Sequence, residues 1–226
     1  MSTEPNKSAH RRKQPIVIVD DHPVLRDGLA RLIDGEFDLC VSGQAESVTD
    51  ALALIRQTRP ALVVVDLSLK DGSGLDLISQ VATSCEGVRS LVLSMHDEAI
   101  FAPRALRAGA SGYVSKSEPP EAVLDAIRTV LRGELYVSAT TNQRLLRDMV
   151  AGPSQRPRSI VESLTDRELE VFELVGRGIG TRDIAQKLHL SIKTIESHRE
   201  HIKEKLGLNS GRELTRHAVL WVNEQC

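Results

Sequence analysis

Side chains suited to phosphoryl-group chemistry recur at separate points in the first half of the chain. They are three carboxylates, a hydroxyl and an amine: Asp20, Asp21, Asp66, Ser94 and Lys116. Carboxylates gathered in one crevice raise each other's pKa unless a cation compensates them. Mg²⁺ suits this role because it takes oxygen ligands and keeps positions for water and phosphate oxygens. An aspartate beside such an ion can attack a phosphoryl donor to form an acyl phosphate, with the hydroxyl and the amine binding phosphoryl oxygens.

These residues fall where predicted strands end. Short apolar runs predict strands at 16–20, 39–42, 62–66, 90–94 and 112–114, with helical patterns between them. This alternation predicts an α/β fold with a parallel sheet, whose ligands bind beyond the carboxyl ends of the strands. Taken singly, Asp21 could cap the following helix and Lys116 could be a solvated loop residue. Their joint occurrence with the others at successive strand ends favours a site.

Composition excludes several classes of protein. The 226 residues are 41% apolar and 27% charged, as in a globular protein with one large or two small domains. No apolar run approaches the roughly 18 residues of a membrane helix, and the polar, basic N-terminus lacks the apolar core of a secretory signal. The three cysteines, at positions 40, 85 and 226, have no metal-ligand spacing. We therefore expect a cytoplasmic protein with no membrane contact.

The second half of the chain has a different pattern of predicted elements. A helix is predicted at 138–150, a proline-containing linker at 152–159, and only short helices from 164 onward. Residues 181–188 and 191–206 predict a helix, a short turn and a second helix that Ser191 caps. Its predicted inward stripe is Ile192, Ile195, Ile202 and Leu206.

A helix of this size fits the DNA major groove. Residues 160–226 carry ten basic and eleven acidic side chains. Any DNA binding there must therefore depend on placed side chains rather than on bulk charge.

The two halves together resemble a known family. Asp20-Asp21, Asp66 with Gly74 eight residues later, Ser94 and Tyr113-Val-Ser-Lys116 resemble the receiver domain of two-component response regulators. Residues 164–168 and 207–208 flank the two predicted helices as in the LuxR-type helix-turn-helix. Over residues 15–222 the chain is similar to the NarL/FixJ family of response regulators.

The resemblance implies a flavodoxin-like receiver domain with a five-stranded parallel sheet, followed by a small all-α helix-turn-helix domain. The implied order is a disordered tail at 1–14, the receiver at 15–135, a linker helix and flexible linker at 136–160, and the DNA-binding domain at 161–226.

The resemblance also implies roles for receiver residues. Asp20, Asp21, Asp66 and the backbone carbonyl of Ser68 would bind Mg²⁺, and a sensor histidine kinase would phosphorylate Asp66. Ser94 and Lys116 would bind the phosphoryl group. Tyr113 would turn with the phosphoryl group, although it could instead be an ordinary core tyrosine. Lys70 departs from the proline that many receivers have at its position.

In the second half, position implies that Glu196, Ser197 and Glu200 face bases. The phosphate-contact candidates are Thr181, Lys193, Thr194, His198, Arg199, Lys203 and Lys205. A charged stripe of this kind could also be only a solvated helix face, and His198 could be a structural residue.

The leading hypothesis is a transcription regulator, not an enzyme, whose DNA binding is switched by phosphorylation. Its partners would be DNA, the kinase, a second copy on phosphorylation or DNA binding, and RNA polymerase. The last helix, predicted at 213–222, would form the dimer seam through Leu214, Ala218 and Trp221, or these would close the domain's own core. The rivals are a flavodoxin-like phosphohydrolase and a regulator that binds DNA without phosphorylation. The intact acidic set argues against the second rival.

Overall fold

The structure is a computed structural model that describes residues 13–69, 71–151, 160–188 and 190–225. Outside these ranges lie residues 1–12 of the predicted tail, Lys70, the predicted linker segment 152–159, His189 and Cys226.

The first domain is an α/β unit. Its elements are β1 Gln14–Val19, α1 Pro23–Asp34, β2 Leu39–Ala45, α2 Val48–Thr58, β3 Leu62–Val65, β4 Ser68–Leu69, β5 Gly72–Ser73, α3 Gly74–Ser84, β6 Arg89–Ser94, α4 Glu98–Ala108, β7 Gly112–Ser115 and α5 Pro120–Leu131. Five strands form one parallel sheet in the order β2-β1-β3-β6-β7. The predicted fold class is confirmed. The antiparallel β4–β5 hairpin was not predicted, because strands of two residues carry no hydrophobic period.

The apolar character of the central strands follows from burial on both faces. In β3, Val63 and Val65 point into one core, which α2, α3 and α4 cover. Leu62 and Val64 point into a second core, which α1 and α5 cover. Because successive strand residues face opposite sides, a strand covered on both faces must be apolar throughout.

The remaining elements are helical. They are α6 Ala139–Ala151, a 3₁₀ turn Ile160–Ser163, α7 Asp166–Gly176, α8 Thr181–Lys187, α9 Ile192–Leu206 and α10 Gly211–Gln225. A capping box begins α7, where Thr165 accepts a hydrogen bond from the Glu168 amide and the Glu168 carboxylate accepts one from the Thr165 amide. Ser191 caps α9 as predicted, accepting a hydrogen bond from the Thr194 amide.

The structure corrects one prediction about the helical core and decides between two alternatives for α10. Ile192 is 43% exposed, because it is the first residue of α9, whereas Ile195 and Ile202 are fully buried. On α10, the side chains of Leu214, Ala218 and Trp221 are buried in the domain's own core, with the Trp221 ring centroid 5.5 Å from that of Phe172. These three side chains are therefore not available to a dimer seam.

Candidate functional site

Three carboxylates meet at the carboxyl edge of the sheet. Asp20 and Asp21 follow β1, and Asp66 follows the neighbouring strand β3. Val19 and Val65, the last residues of these strands, are paired in register, and the Asp66 amide donates to the Val19 carbonyl at 2.8 Å. All three carboxyl-bearing residues are buried. The parallel register thus brings together residues that are far apart in sequence.

Lys116 reaches into this cluster from beyond β7. Its Nζ lies 2.7 Å from Oδ2 of Asp20 and 2.6 Å from Oδ2 of Asp66. Burial raises the pKa of Asp66, an effect that the Lys116 ammonium opposes and the Asp20 carboxylate reinforces. Burial would lower the pKa of Lys116, but Asp66 and Asp20 outweigh burial and raise it. Lys116 is therefore a buried ammonium and not a solvated loop residue.

The cluster has a donor set that fits a divalent cation. Asp20, Asp21, His22 and Asp66 each offer one ligand atom, and these atoms lie within 4.8 Å of one another. Carboxylate oxygens are the ligands that Mg²⁺ prefers. The N-cap residue of α1 is His22 rather than Asp21, which argues against the capping alternative for Asp21.

His22 was not among the residues predicted to lie in this cluster. Its Nδ1 lies 2.8 Å from Oδ1 of Asp21 and 3.2 Å from Oδ1 of Asp20. The only available signal was its position directly after the acidic pair.

The loop after Asp66 passes so close to position 74 that this position requires a glycine. A Cβ at Gly74 would lie 2.2 Å from the Asp66 carbonyl oxygen, so only glycine fits there. The Gly74 amide donates to the Leu67 carbonyl at 2.8 Å, which closes this loop against the start of α3. Ser68, whose carbonyl is predicted to bind the ion, is the first residue of β4, within this loop.

Ser94 and Tyr113 lie next to the cluster and share a neighbour. Ser94 ends β6, is fully buried, and accepts a hydrogen bond from the His96 amide at 3.2 Å. The Tyr113 hydroxyl donates to the His96 carbonyl at 2.8 Å. Tyr113 is fully buried, and this burial raises the pKa of its hydroxyl.

His96 itself was not anticipated, and it lies between the two domains. Its Nε2 is 2.7 Å from Oε1 of Glu170, and its Nδ1 is 3.4 Å from Oε2 of Glu173, both on α7. Burial alone would lower the pKa of His96, but the two carboxylates raise it to about 9. Burial opposes ionisation of Glu170, but His96 and Arg167 outweigh it and lower the pKa of Glu170 to about 2. At neutral pH His96 is therefore an imidazolium and Glu170 a carboxylate.

The predicted DNA-reading face of α9 lies open to solvent. Lys193, Glu196, Ser197 and Glu200 are exposed on it, whereas Thr181, Thr194, His198, Arg199 and Lys203 are half-buried. The Thr194 hydroxyl lies 2.7 Å from that of the capping Ser191.

The cations on α9 differ in their surroundings. Nζ of Lys203 lies 2.8 Å from Oε2 of Glu200 on the same helix. Nζ of Lys205, whose side chain is exposed, lies 2.6 Å from Oε2 of Glu168 on α7. Burial and the neighbouring Arg167 lower the pKa of His198.

Comparison with known proteins assigns both domains. Residues 16–128 match the response regulator receiver domain, and residues 162–218 match the luxR family of bacterial regulatory proteins. The oxygen regulatory protein NreC of Staphylococcus aureus is 37% identical over 208 residues, which cover 90% of this chain and 96% of that protein. The chain belongs to the NarL/FixJ family of two-component response regulators.

Solved structures of response regulators share this architecture. A LuxR-family response regulator from Aurantimonas sp. SI85-9A1 is 35% identical, with a TM-score of 0.57 over 61% of this chain and 99% of that chain. RcsB of Salmonella typhimurium is 25% identical, with a TM-score of 0.61 over 92% of this chain and 97% of that chain. A further RcsB structure, bound to promoter rprA with phosphomimetic BeF3−, has a TM-score of 0.59 at 25% identity and covers 92% of this chain and 99% of that chain.

Within the described ranges, no helix of this response regulator combines the length and the apolar character that crossing a membrane requires.

Proposed function

We propose that this response regulator is phosphorylated on Asp66 by a sensor histidine kinase, in a Mg²⁺-dependent reaction, and that the phosphoryl group switches its binding to DNA. Residues 15–135 act as the receiver, 136–160 as the connecting segment and 161–226 as the DNA-binding domain. The chain acts as a regulator rather than as an enzyme.

The observation that carries this proposal is the position of Lys116. Its ammonium contacts Asp66 and Asp20 at 2.6 and 2.7 Å in a buried crevice. A lysine there is a point charge suited to a phosphoryl oxygen.

In the proposed reaction the acidic residues also bind the metal ion. Asp20, Asp21 and Asp66, with the Ser68 carbonyl, would hold Mg²⁺, which when bound neutralises charge on the phosphoryl oxygens. An Asp66 carboxylate oxygen attacks phosphorus, so that a phosphorus–oxygen bond forms as the bond to the histidine nitrogen of the kinase breaks.

The switch is proposed to run through Ser94 and Tyr113. A phosphoryl group on Asp66 draws the Ser94 hydroxyl toward its oxygens, and Ser94 now accepts the His96 amide. The Tyr113 hydroxyl donates to the carbonyl of His96. A movement of Ser94 would therefore affect both its own hydrogen bond with the His96 amide and the one made by Tyr113.

On the DNA side, α9 is proposed to enter the major groove with Glu196, Ser197 and Glu200 toward the bases. The residues proposed to contact phosphates are Thr181, Lys193, Thr194, His198, Arg199, Lys203 and Lys205. We place the regulator in the cytoplasm, where it dimerises on paired half-sites and contacts RNA polymerase. For the dimer, α10 offers Val219 and Leu220, which are exposed apolar side chains.

Radiolabelled acetyl phosphate tests the phosphorylation. With Mg²⁺, the full chain is expected to acquire acid-stable, base-labile label, and Asp66→Asn is expected to lose it because an amide is not a competent nucleophile. Asp27→Asn, which makes the same chemical change at an exposed position on α1, is the matched control and should label as the unchanged chain does. Undiminished label in the Asp66 variant would overturn the proposal.

A further inference from the structure

His22 lies against the acidic cluster at the carboxyl edge of the sheet. Its Nδ1 is 2.8 Å from Oδ1 of Asp21, 3.2 Å from Oδ1 of Asp20 and 4.0 Å from Oδ2 of Asp66. One imidazole nitrogen therefore faces all three carboxylates. No step of the proposed phosphorylation uses this ring.

Hydrogen bonds of the main chain hold His22 in this position. Its amide donates to Oδ1 of Asp20 at 2.8 Å, and its carbonyl accepts a hydrogen bond from the Arg26 amide at 3.0 Å, as the N-cap of α1. Pro23 follows as the first residue of the helix, where its fixed φ favours the helical conformation. Because the backbone on both sides of the ring is fixed, an ion that binds the ring does not have to order this segment.

The separations between these atoms match those between ligands of a single ion. At metal–ligand distances of about 2.1 Å, adjacent ligand atoms lie about 3 Å apart and opposite ones about 4 Å apart. The separations from Nδ1 of His22 are 2.8, 3.2 and 4.0 Å, and the ligand atoms of all four side chains lie within 4.8 Å of one another. One ion can therefore contact all four side chains after small shifts.

A nitrogen ligand changes which ions the cluster selects. Mg²⁺ takes oxygen ligands, so an imidazole contributes little to its binding. Zn²⁺ and similar first-row transition-metal ions bind histidine nitrogen as well as aspartate oxygen. Three carboxylates with one imidazole are therefore a better donor set for Zn²⁺ than for Mg²⁺.

His22 and Lys116 approach different oxygens of Asp20. The Lys116 ammonium contacts Oδ2 of Asp20 and Oδ2 of Asp66, whereas His22 lies nearest to Oδ1 of Asp20 and Oδ1 of Asp21. The His22 side chain is 47% exposed, while those of the three aspartates are at most 7% exposed. The imidazole therefore lies at the solvent side of the cluster, where an ion from solution enters.

We propose that His22 is a metal ligand and gives the acidic cluster a preference for Zn²⁺, or a similar transition-metal ion, over Mg²⁺. The ion is held by the imidazole nitrogen and by carboxylate oxygens of Asp20, Asp21 and Asp66. Because both ions use the same carboxylates, they compete for the cluster. This inference rests on the metal-binding part of the proposed function and not on the transfer of a phosphoryl group.

Titration of the full chain with Co²⁺, which replaces Zn²⁺ and absorbs visible light when bound, tests the preference. His22→Asn removes the imidazole and leaves a residue that helix N-caps favour. We expect the Co²⁺ affinity to fall about tenfold or more, because even partners of metal ligands contribute that much. The Mg²⁺ affinity, measured by calorimetry, should change less than about threefold, since Mg²⁺ gains little from nitrogen. His201→Asn, the same change at an exposed position on α9, is the matched control and should bind Co²⁺ as the unchanged chain does.

Two further measurements place the ion. X-ray absorption of the chain loaded with one equivalent of Zn²⁺ should show scattering from a bound imidazole, and His22→Asn should lose that signal. Asp21→Ala should weaken the binding of Co²⁺ and of Mg²⁺, because both ions need its carboxylate. Excess Mg²⁺ should displace Co²⁺ from the unchanged chain, and a failure to do so would contradict a shared site.

The outcomes separate this inference from the proposed function. If His22→Asn binds Co²⁺ as tightly as the unchanged chain, or if the Zn²⁺-loaded chain shows no imidazole, the inference is overturned, while Mg²⁺-dependent labelling of Asp66 still supports the proposed function. If the unchanged chain is not labelled on Asp66, the proposed phosphorylation is refuted, whereas a lower Co²⁺ affinity of His22→Asn still supports the metal ligand. Thermal unfolding checks each variant, and if His22→Asn does not fold, His22→Ala and the X-ray absorption of the unchanged chain decide.

Discussion

Lys116 compensates two buried carboxylates at once. Its Nζ lies within 2.7 Å of both Asp20 and Asp66, and its side chain is 7% exposed. A buried ammonium is costly unless carboxylates surround it, and buried carboxylates are costly unless a cation does. Lys116 and the aspartates therefore require each other in the folded chain.

At the residue scale, Gly74→Ala tests how tightly the loop after Asp66 is closed. The added methyl group would lie 2.2 Å from the Asp66 carbonyl and 2.7 Å from the Leu67 Cα, both backbone atoms that cannot move alone. We expect the free energy of unfolding to fall by about 2 kcal/mol or more, measured by urea denaturation. Gly28→Ala is the control: a Cβ there meets nothing within 4 Å in α1, so stability should rise by about 0.5–1 kcal/mol. Equal effects of the two changes would show that the loop relaxes freely.

Helix α9 packs one face against the other helices of its domain and leaves the opposite face exposed. Ile195 and Ile202 fix one side of it in the domain core. Lys203 pairs with Glu200 and Lys205 pairs with Glu168, while Lys193 lies exposed in the first turn. The exposed face thus combines few available cations with several carboxylates. Any DNA binding by such a face depends on where each charge lies.

At the element scale, Lys193 and Glu196 should affect DNA binding in different ways. Lys193 lies where the helix dipole and its own charge both favour a phosphate. Lys193→Ala should weaken specific and non-specific binding alike, and should reduce the slope of log affinity against log salt by roughly one. The measurement is titration of cognate and scrambled duplexes at several salt concentrations.

Glu196→Ala serves as the opposing variant in the same titration. Removing a carboxylate from the groove should raise non-specific affinity and reduce discrimination between the two duplexes. If both variants changed affinity equally and without regard to sequence, α9 would not lie in the groove as proposed.

Across the whole molecule, the domains are joined by ionic groups as well as by apolar packing. Phe101 of α4 and Leu164 at the start of the DNA-binding domain belong to one buried cluster that extends through both domains. Within the interface, Glu170 and Glu173 flank His96, whose ring centroid lies 4.7 Å from that of Phe101. Apolar packing keeps water out, and the exclusion of water strengthens the charge pairing.

At this scale, the stability of the full chain should depend on pH through His96. Its pKa is raised to about 9 from an ordinary 6.5, so the stabilisation is complete below about pH 6.5 and is lost as pH rises through 9. The loss should not exceed about 3 kcal/mol. Urea unfolding at pH 6.5, 8 and 9.5 measures it. His96→Gln should lack this decline, and parallel curves for the two proteins would contradict an imidazolium at His96.

The sequence alone determined the sheet and the positions at its edge. Uninterrupted apolar runs predicted strands covered on both faces, and the parallel order implied that Asp20, Asp66 and Lys116 meet, because carboxyl ends of parallel strands share one edge. Local signals were equally reliable where they act within one turn, as the caps formed by Thr165 and Ser191 show.

Only the tertiary structure decided which surfaces cover one another. An amphipathic period tells which face of a helix is apolar, but not what packs on it, so Leu214 and its neighbours on α10 were compatible with a seam as well as with the core that they occupy. The contacts of His96 with Glu170, and of Lys205 with Glu168, join residues from different elements. No period or spacing encodes such pairs, because their distance depends on how whole elements pack.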